Sequence, residues 1–479
     1  MKPLPSSDKA NPAGKTSSGQ GRSFVTYWLR SPLGWFVAKP WFDWFASKLL
    51  DRWFFAISRL WAAARTASGS VDEYLAVTGL EATPALERKL TGLLTEFESR
   101  RGQVIEAEAR WREAFFGEAD FSDAQLRAIE ADRLDWRNRY NSLRGRFLAL
   151  GVSQKISPIL WDVPTPQEME TIYGPSRGQA SNFPNLPTTM PEISRSKTFN
   201  GAVGPDHWLE FKSPSDRIND MVCVRVHEPV GVINPPTLIF GHGICVEFDH
   251  WHGLVDEVEA LVKMGIRVVR PEAPAHGRRV PDNRFGGERF IATIPAGPID
   301  HFSAAIQEWA VLIDWCRKTT TGPVAVGGSS LGAMTAHLVA DRAKSWPSRL
   351  QPDAMFLITH SRGIGDAMFR GRLSQMWGIK SAAVKAGWTQ AMMDDYMSLL
   401  ETGGPTVVQP ENIVSVLGTR DNVTPYDAGD QLLRDWGVPE ANKFQWRRGH
   451  YSVPLTMMRD HAPLQKFRAV MEKLRGLES

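Results

Sequence analysis

Ser330 is the residue in this sequence best placed to do chemistry. It lies in Val324-Ala325-Val326-Gly327-Gly328-Ser329-Ser330-Leu331-Gly332, an apolar run of strand length, then G-x-S-x-G, then a helix-forming stretch from Ala333 onward. A nucleophilic serine needs this arrangement, because a sharp strand-to-helix turn exposes its hydroxyl. Such a turn crowds the positions two before and two after the serine, and Gly328 and Gly332 keep both small. Ser329 fails the same spacing, since Leu331 would then stand where a small residue is required.

With its strand and helix in place, this motif resembles the nucleophile elbow of the α/β-hydrolase superfamily, and the resemblance spans residues 206–479. It implies an acid after a later strand and a histidine after the last one. The run Ile413–Leu417 leads into Gly418-Thr419-Arg420-Asp421, followed by Pro425, which marks Asp421 as the acid. Phe444–Trp446 leads into Gly449-His450-Tyr451, which marks His450 as the base. Thr237–Phe240 enters Gly241-His242-Gly243-Ile244, where the family places one oxyanion-hole donor. The Ile244 N–H is assigned to that donor and the Leu331 N–H to the second.

The implied reaction is acyl transfer in two steps, with His450 taking the proton of Ser330 and Asp421 orienting the imidazole. It requires no metal and no organic cofactor, and its substrate is a small-molecule ester. An acyltransferase or thioesterase would use the same three residues. A non-catalytic scaffold of this fold is the reading from another class. Competing side chains are less well placed. Asp427 and Asp430 fall on the helix after the acid loop, and His461 stands at the start of the last helix. Asp249-His250-Trp251-His252 has no third spaced ligand and reads as a pocket rim rather than a metal site. The His-Gly turn in Pro274-Ala275-His276-Gly277-Arg278 reads as structural, and Cys245 as a packing residue.

The elements that must hold these residues alternate. Strands are expected at 207–211, 221–226, 237–240, 267–269, 324–326, 354–358, 413–417 and 444–446, and helices at 253–264, 301–317, 332–344, 427–436 and 461–476. Alternation of this kind predicts a mostly parallel sheet covered on both faces. Residues 361–405 stand where the superfamily inserts a cap. Their Met368, Phe369, Met376, Trp377, Trp388, Met392 and Met393 point to an apolar acyl or alcohol group.

Before this domain, residues 1–22 read as a disordered tail, 23–160 as a helical region and 161–205 as a Pro-rich linker or wrapping loop. Thr83-Pro84 predicts one helix start and Ser122-x-x-Gln125 another. The first helix carries Leu90, Leu94, Phe97, Val104, Trp111 and Phe115, and the second Ile129, Trp136, Tyr140, Leu143 and Phe147. Within 24–64, Phe42, Phe45, Leu49, Trp53, Ile57 and Leu60 recur as one helical face, which predicts that this face packs inward. Trp41, Trp44, Phe55 and Trp61 then project elsewhere and call for a second surface, which is the catalytic domain, a second subunit through self-association of residues 24–64, or a peripheral membrane contact.

Composition narrows the classes. The 479 residues carry 56 basic and 53 acidic side chains, a net charge of +3, so nothing favours a nucleic-acid partner. Three cysteines without paired spacing fit a reducing cytoplasm. The polar run after Met1 is unlike a secretory leader, and no run of 18 apolar residues is present. The expected location is therefore cytoplasmic, with a peripheral membrane association left open through residues 24–64.

Overall fold

Proline and capping side chains decide where the helices of the first third begin. The computed structural model describes residues 39–151, 156–180, 183–245 and 257–476. Helix α1 (Pro40–Leu49) starts on a proline, whose missing N–H costs nothing there, and a π turn over Leu50–Phe54 carries it into α2 (Phe55–Ala67). Helix α3 (Val71–Thr78) is capped by Ser70. Thr83 accepts the N–H of Leu86 at 3.2 Å to open α4 (Pro84–Phe116), and Ser122 with Gln125 forms the expected capping box of α5 (Asp123–Ser142). Leu90, Leu94, Phe97 and Tyr140 are buried and pack with Leu60, Trp61 and Phe147. Burying side chains of this size contributes roughly 1.5–3 kcal/mol each.

The stretch 161–205 holds more structure than its prolines suggest. A capping box of Thr165 and Glu168 opens α6 (Pro166–Tyr173), and strands β1 (Ser194–Arg195) and β2 (Phe199–Asn200) both pair antiparallel with β3 (Pro205–Lys212). Short polar strands on a sheet edge lack the alternating run that identifies strands in sequence, which is why this stretch reads as loop. It also wraps. The Pro164 carbonyl accepts the Trp388 indole N–H at 2.7 Å, and the Phe183 carbonyl accepts Arg342 Nε–H at the same distance.

The sheet continues with β4 (Met221–His227), β5 (Thr237–Gly241), β6 (Arg267–Pro271), β7 (Val324–Ser329), β8 (Ala354–Ile358), β9 (Ile413–Gly418) and β10 (Lys443–Trp446). The strand order is β1-β3-β4-β6-β5-β7-β8-β9-β10. Pairing is antiparallel from β3 through β4 to β6 and parallel from β6 to β10. The central strands are buried on both faces, as apolar parallel strands must be. Helices α7 (Glu257–Lys263), α8 (Ala296–Thr319) and α9 (Leu331–Arg342) follow the expected alternation. Helices α10 (Tyr426–Asp435), α11 (Ser452–Met457) and α12 (Ala462–Leu474) complete it. The architecture is the α/β one expected, a mixed sheet flanked by helices and preceded by a helical region. No described helix is long and apolar enough to cross a membrane.

The helical region is bound into the rest of the molecule. Trp111 and Phe115 of α4 share a buried cluster with Phe199 of β2 and Trp208 of β3, and the Trp111 and Trp208 rings meet edge to face at 5.4 Å. Farther along, α2 places Arg59 against Glu288 at 3.2 Å, and both side chains are buried. Glu288 also accepts the N–H groups of Leu160 and Phe285 at 2.8 and 3.1 Å. Burial pushes the Glu288 carboxyl upward, against the pull of the Arg59 guanidinium. Removing one partner of a buried pair leaves an uncompensated charge, so Arg59→Met should cost about 3 kcal/mol of unfolding free energy. Urea denaturation of the whole chain reads this directly. An unchanged midpoint would show that α2 lies outside the cooperative unit.

The expected inner face over residues 42–60 holds only at its end, where Ile57 and Leu60 pack inward, and is a correction before it. Phe45, Leu49 and Trp53 are exposed by 49%, 42% and 41%, while Asp43 and Ser47 are buried in their place. Leu50, Phe54 and Phe55 continue that inward side. Of the four aromatics expected to project elsewhere, Phe55 packs edge to face on Trp377 at 5.0 Å, and Trp61 packs on Phe97 and Tyr140. Trp41 and Trp44 face solvent. Residues 1–38, including Trp28, Trp35 and the tail read as disordered, lie outside the described residues, as does Asp249-His250-Trp251-His252.

Candidate active site

Strand β7 ends and α9 begins with Ser330 alone between them. Ser330 has φ 54° and ψ −113°, a backbone conformation that costs a non-glycine residue energy and is held only by its surroundings. Those surroundings are its N–H donating to the Ile358 carbonyl at 2.8 Å and its carbonyl accepting the Met334 N–H at 3.0 Å. The glycines on either side are there for space. A Cβ on Gly328 would come within 2.6 Å of the Gly241 carbonyl oxygen, and one on Gly332 within 2.1 Å of the same atom.

Strand β9 delivers Asp421, and the turn after β10 delivers His450. His450 Nε2 lies 3.0 Å from Ser330 Oγ, and its Nδ1 lies 2.8 Å from Asp421 Oδ2. All three side chains are buried. Asp421 is itself fixed: Oδ1 accepts the N–H groups of Val423 and Thr424 at 2.9 and 3.0 Å. The Thr424 hydroxyl lies 2.9 Å from Asp421 Oδ2, 3.1 Å from His450 Nδ1 and 3.0 Å from the Thr359 carbonyl. For His450, burial disfavours the imidazolium, but the charge and hydrogen bond of Asp421 outweigh it and raise the pKa above 6.5.

The competing side chains lie elsewhere. Asp427 pairs with Arg370 at 2.5 Å, Asp430 accepts the Gln445 amide at 2.8 Å, and His461 is an exposed helix-start residue. Cys245 is half-buried, while Cys223 and Cys316 are buried. Among the described residues, no cluster of His, Cys, Asp or Glu is arranged to hold a metal ion.

The register of the sheet sets β5 beside the elbow. Phe240 pairs with Gly327 and Gly241 with Gly328, so the turns leaving β5 and β7 start side by side. Leu331 is the first residue of α9, so its N–H has no acceptor within the helix. Ile244 lies on the neighbouring turn. Two histidines brace that turn, each with Nδ1–H donating to a carbonyl and Nε2 accepting a backbone N–H. His242 Nδ1 donates to Gly243 at 2.8 Å, and its Nε2 accepts Ala273 N–H at 3.1 Å. His276 Nδ1 donates to Pro274 at 2.9 Å, and its Nε2 accepts Cys245 N–H at 3.1 Å. Both roles need a neutral ring, and burial lowers the His242 pKa to about 4. His276 thus shapes the turn next to Ile244. Its His-Gly context in the sequence points to a structural turn without showing which backbone it holds.

The apolar residues of 361–405 are largely consumed by packing. Trp377, Trp388 and Met393 are buried, Trp377 against Phe55 and Trp388 against Tyr396. Tyr451, whose ring meets that of His450 edge to face at 5.4 Å, is half-buried, as are Ile244 and Cys245 on the turn after β5.

No family model and no curated protein matches the chain. Among solved structures it is similar to a cold-adapted esterase from an Arctic intertidal metagenomic library, at 15% identity over 57% of this chain and 97% of that one, with a TM-score of 0.37. It is also similar to an acetyl xylan esterase from a Thermoanaerobacterium species, at 14% identity over 62% and 96%, TM-score 0.39. A third is an S-formylglutathione hydrolase from Agrobacterium tumefaciens, at 15% identity over 57% and 98%, TM-score 0.37.

Proposed function

We propose that this chain is a serine hydrolase that cleaves a carboxylic ester with an apolar acyl or alcohol group. The observation that carries the reading is the imidazole of His450 standing 3.0 Å from Ser330 Oγ and 2.8 Å from Asp421 Oδ2. In the reaction Ser330 Oγ attacks the ester carbonyl while its proton passes to His450 Nε2. His450 then gives that proton to the departing alcohol, and an acyl group remains on Ser330. Water then gives a proton to His450 and adds to the acyl carbonyl, and His450 passes that proton to Ser330 Oγ as the acid is released. Asp421 keeps Nδ1 protonated throughout and offsets the imidazolium charge. The N–H groups of Leu331 and Ile244 are the donors assigned to the oxyanion, and each such donor typically contributes ~3–4 kcal/mol to the transition state. The apolar character of Ile244 and Tyr451 supports the substrate class.

A short-chain nitrophenyl ester and a fluorophosphonate probe test this reading. The chain should hydrolyse the first and be covalently labelled by the second. His450 must be neutral to accept a proton, and its pKa is raised, so kcat/KM should climb with pH through a limb above 6.5. Absence of both hydrolysis and labelling between pH 6 and 9 would overturn the proposal.

A further inference from the structure

Asp43 sits on α1, 408 residues before Tyr451 in the sequence, yet its carboxylate is buried in the loop that carries His450. Oδ1 accepts the N–H groups of Tyr451 and Ser452 at 2.7 and 3.2 Å, and Oδ2 accepts the Ser452 hydroxyl at 2.5 Å. The Ser452 Oγ accepts the Gly449 N–H at 3.0 Å in turn. One carboxylate therefore organises the backbone on both sides of His450. These N–H groups belong to the start of α11, whose preceding residue, Tyr451, supplies no side-chain cap. Unpaired amides at a buried helix start are costly, and a carboxylate is the strongest acceptor for them.

Two further observations agree. A Cβ on Gly449 would lie 2.4 Å from the Asp43 carboxyl carbon, so glycine at 449 is what admits the carboxylate. Ser47, one turn along α1 and also buried, donates its hydroxyl to the Asp43 carbonyl at 2.7 Å, locking the helix backbone at this point.

We propose that Asp43 is a positioning residue for the reaction proposed above: reaching from the N-terminal helix, it holds the 449–452 loop so that His450 stays in line between Asp421 and Ser330. The helical region is then a working part of the site rather than an appendage to it. The inference rests on the serine-hydrolase reading. The charge of Asp43 also favours the imidazolium form of His450, after the larger influence of Asp421. The groups around that ring are Asp421 beyond β9, the Thr424 hydroxyl at 3.1 Å from Nδ1, Ser330 on the elbow, Asp43 on α1, and the Tyr451 ring edge-on at 5.4 Å, whose phenol burial keeps protonated.

The test is the rate of fluorophosphonate labelling as a function of pH, with Ser330→Ala as control. Asp43→Asn keeps the shape but loses the charge and an acceptor. It should slow labelling at the pH plateau roughly tenfold or more, the usual consequence of losing a buried charged hydrogen bond that orients a reacting group. Its acid limb should move to lower pH, because the lost negative charge had stabilised imidazolium. A role confined to stability would lower the melting temperature and leave the limb in place. A second pair guards against misfolding: Gly449→Ala should slow labelling, and adding Asp43→Ala should bring no further loss, since the added methyl no longer meets a carboxylate. Wild-type rate and limb in folded Asp43→Asn, or strictly additive losses in the double variant, would overturn the role of Asp43 while leaving Ser330 untouched. Labelling that survives Ser330→Ala would instead remove the reading on which the proposal rests.

Discussion

Ser330→Ala should abolish both ester hydrolysis and fluorophosphonate labelling, with a loss on the order of 10⁴–10⁶ in kcat. The substitution removes the atom 3.0 Å from His450 Nε2 and nothing else that holds the turn. The Ser330 N–H bond to Ile358 and its carbonyl bond from Met334 are backbone interactions, which alanine keeps. The unusual φ of 54° strains alanine about as much as serine, so the melting temperature should stay within a few degrees. Ser329 is the internal control. It closes β7, paired with Ile358, and has no place on the turn. Labelling that moved to Ser329, or persisted in the alanine variant, would mean the elbow had been placed on the wrong residue.

The elbow could be read from sequence because its demands are local and severe. A Cβ at Gly328 or Gly332 would come within 2.6 or 2.1 Å of one carbonyl oxygen, so no larger residue fits at either position. Strand β8 is legible to the residue as Ala354–Ile358, since a run buried on both faces is apolar throughout. Helix starts at Thr83 and Ser122 follow from side chains that act within four residues of themselves. The misreadings share the opposite property. Apolar spacing points to Phe45 and Leu49 as the inward side of α1, yet Asp43 and Ser47 are what turn inward, because the partners of the Asp43 carboxylate lie some four hundred residues away and Ser47 bonds the Asp43 carbonyl beside it. A polar residue buried by a distant loop leaves no periodic trace. The His276 turn is structural, as its sequence indicates, but the backbone groups that His242, His276 and Thr424 hold are not legible, because only the folded chain brings them near. Trp377 and Trp388 of 361–405 fill space against the N-terminal segments, Trp377 on Phe55 and Trp388 at the Pro164 carbonyl, which apolar composition alone does not distinguish from lining a substrate pocket.

Asp421→Asn should lower kcat on the order of 10⁴-fold with the fold retained, and the hydrogen-bond inventory says why the loss is so large for one atom. Asp421 Oδ1 accepts two backbone N–H groups, Val423 at 2.9 Å and Thr424 at 3.0 Å, and only an oxygen can do so. Asparagine will therefore keep its carbonyl oxygen there, which leaves its NH₂ at the place of Oδ2, 2.8 Å from His450 Nδ1. A donor facing Nδ1 requires that nitrogen to accept, and the ring proton must shift to Nε2. With Nε2 protonated, His450 can no longer take the proton of Ser330, although every heavy atom stays in position. The opposite amide orientation escapes this trap only by turning a donor onto two buried N–H groups, which costs more than it restores. The Thr424 hydroxyl, within 3.1 Å of Nδ1, cannot substitute, because it offers no charge to balance the imidazolium. Pre-steady-state labelling would show the defect in the first acylation, before any step that depends on the ester chosen. A variant that retained near-normal labelling would transfer the acid role to another carboxylate. Asp43, whose carboxylate is set in the 449–452 loop, would be the first to examine, since Asp427 and Asp430 are committed to Arg370 and Gln445.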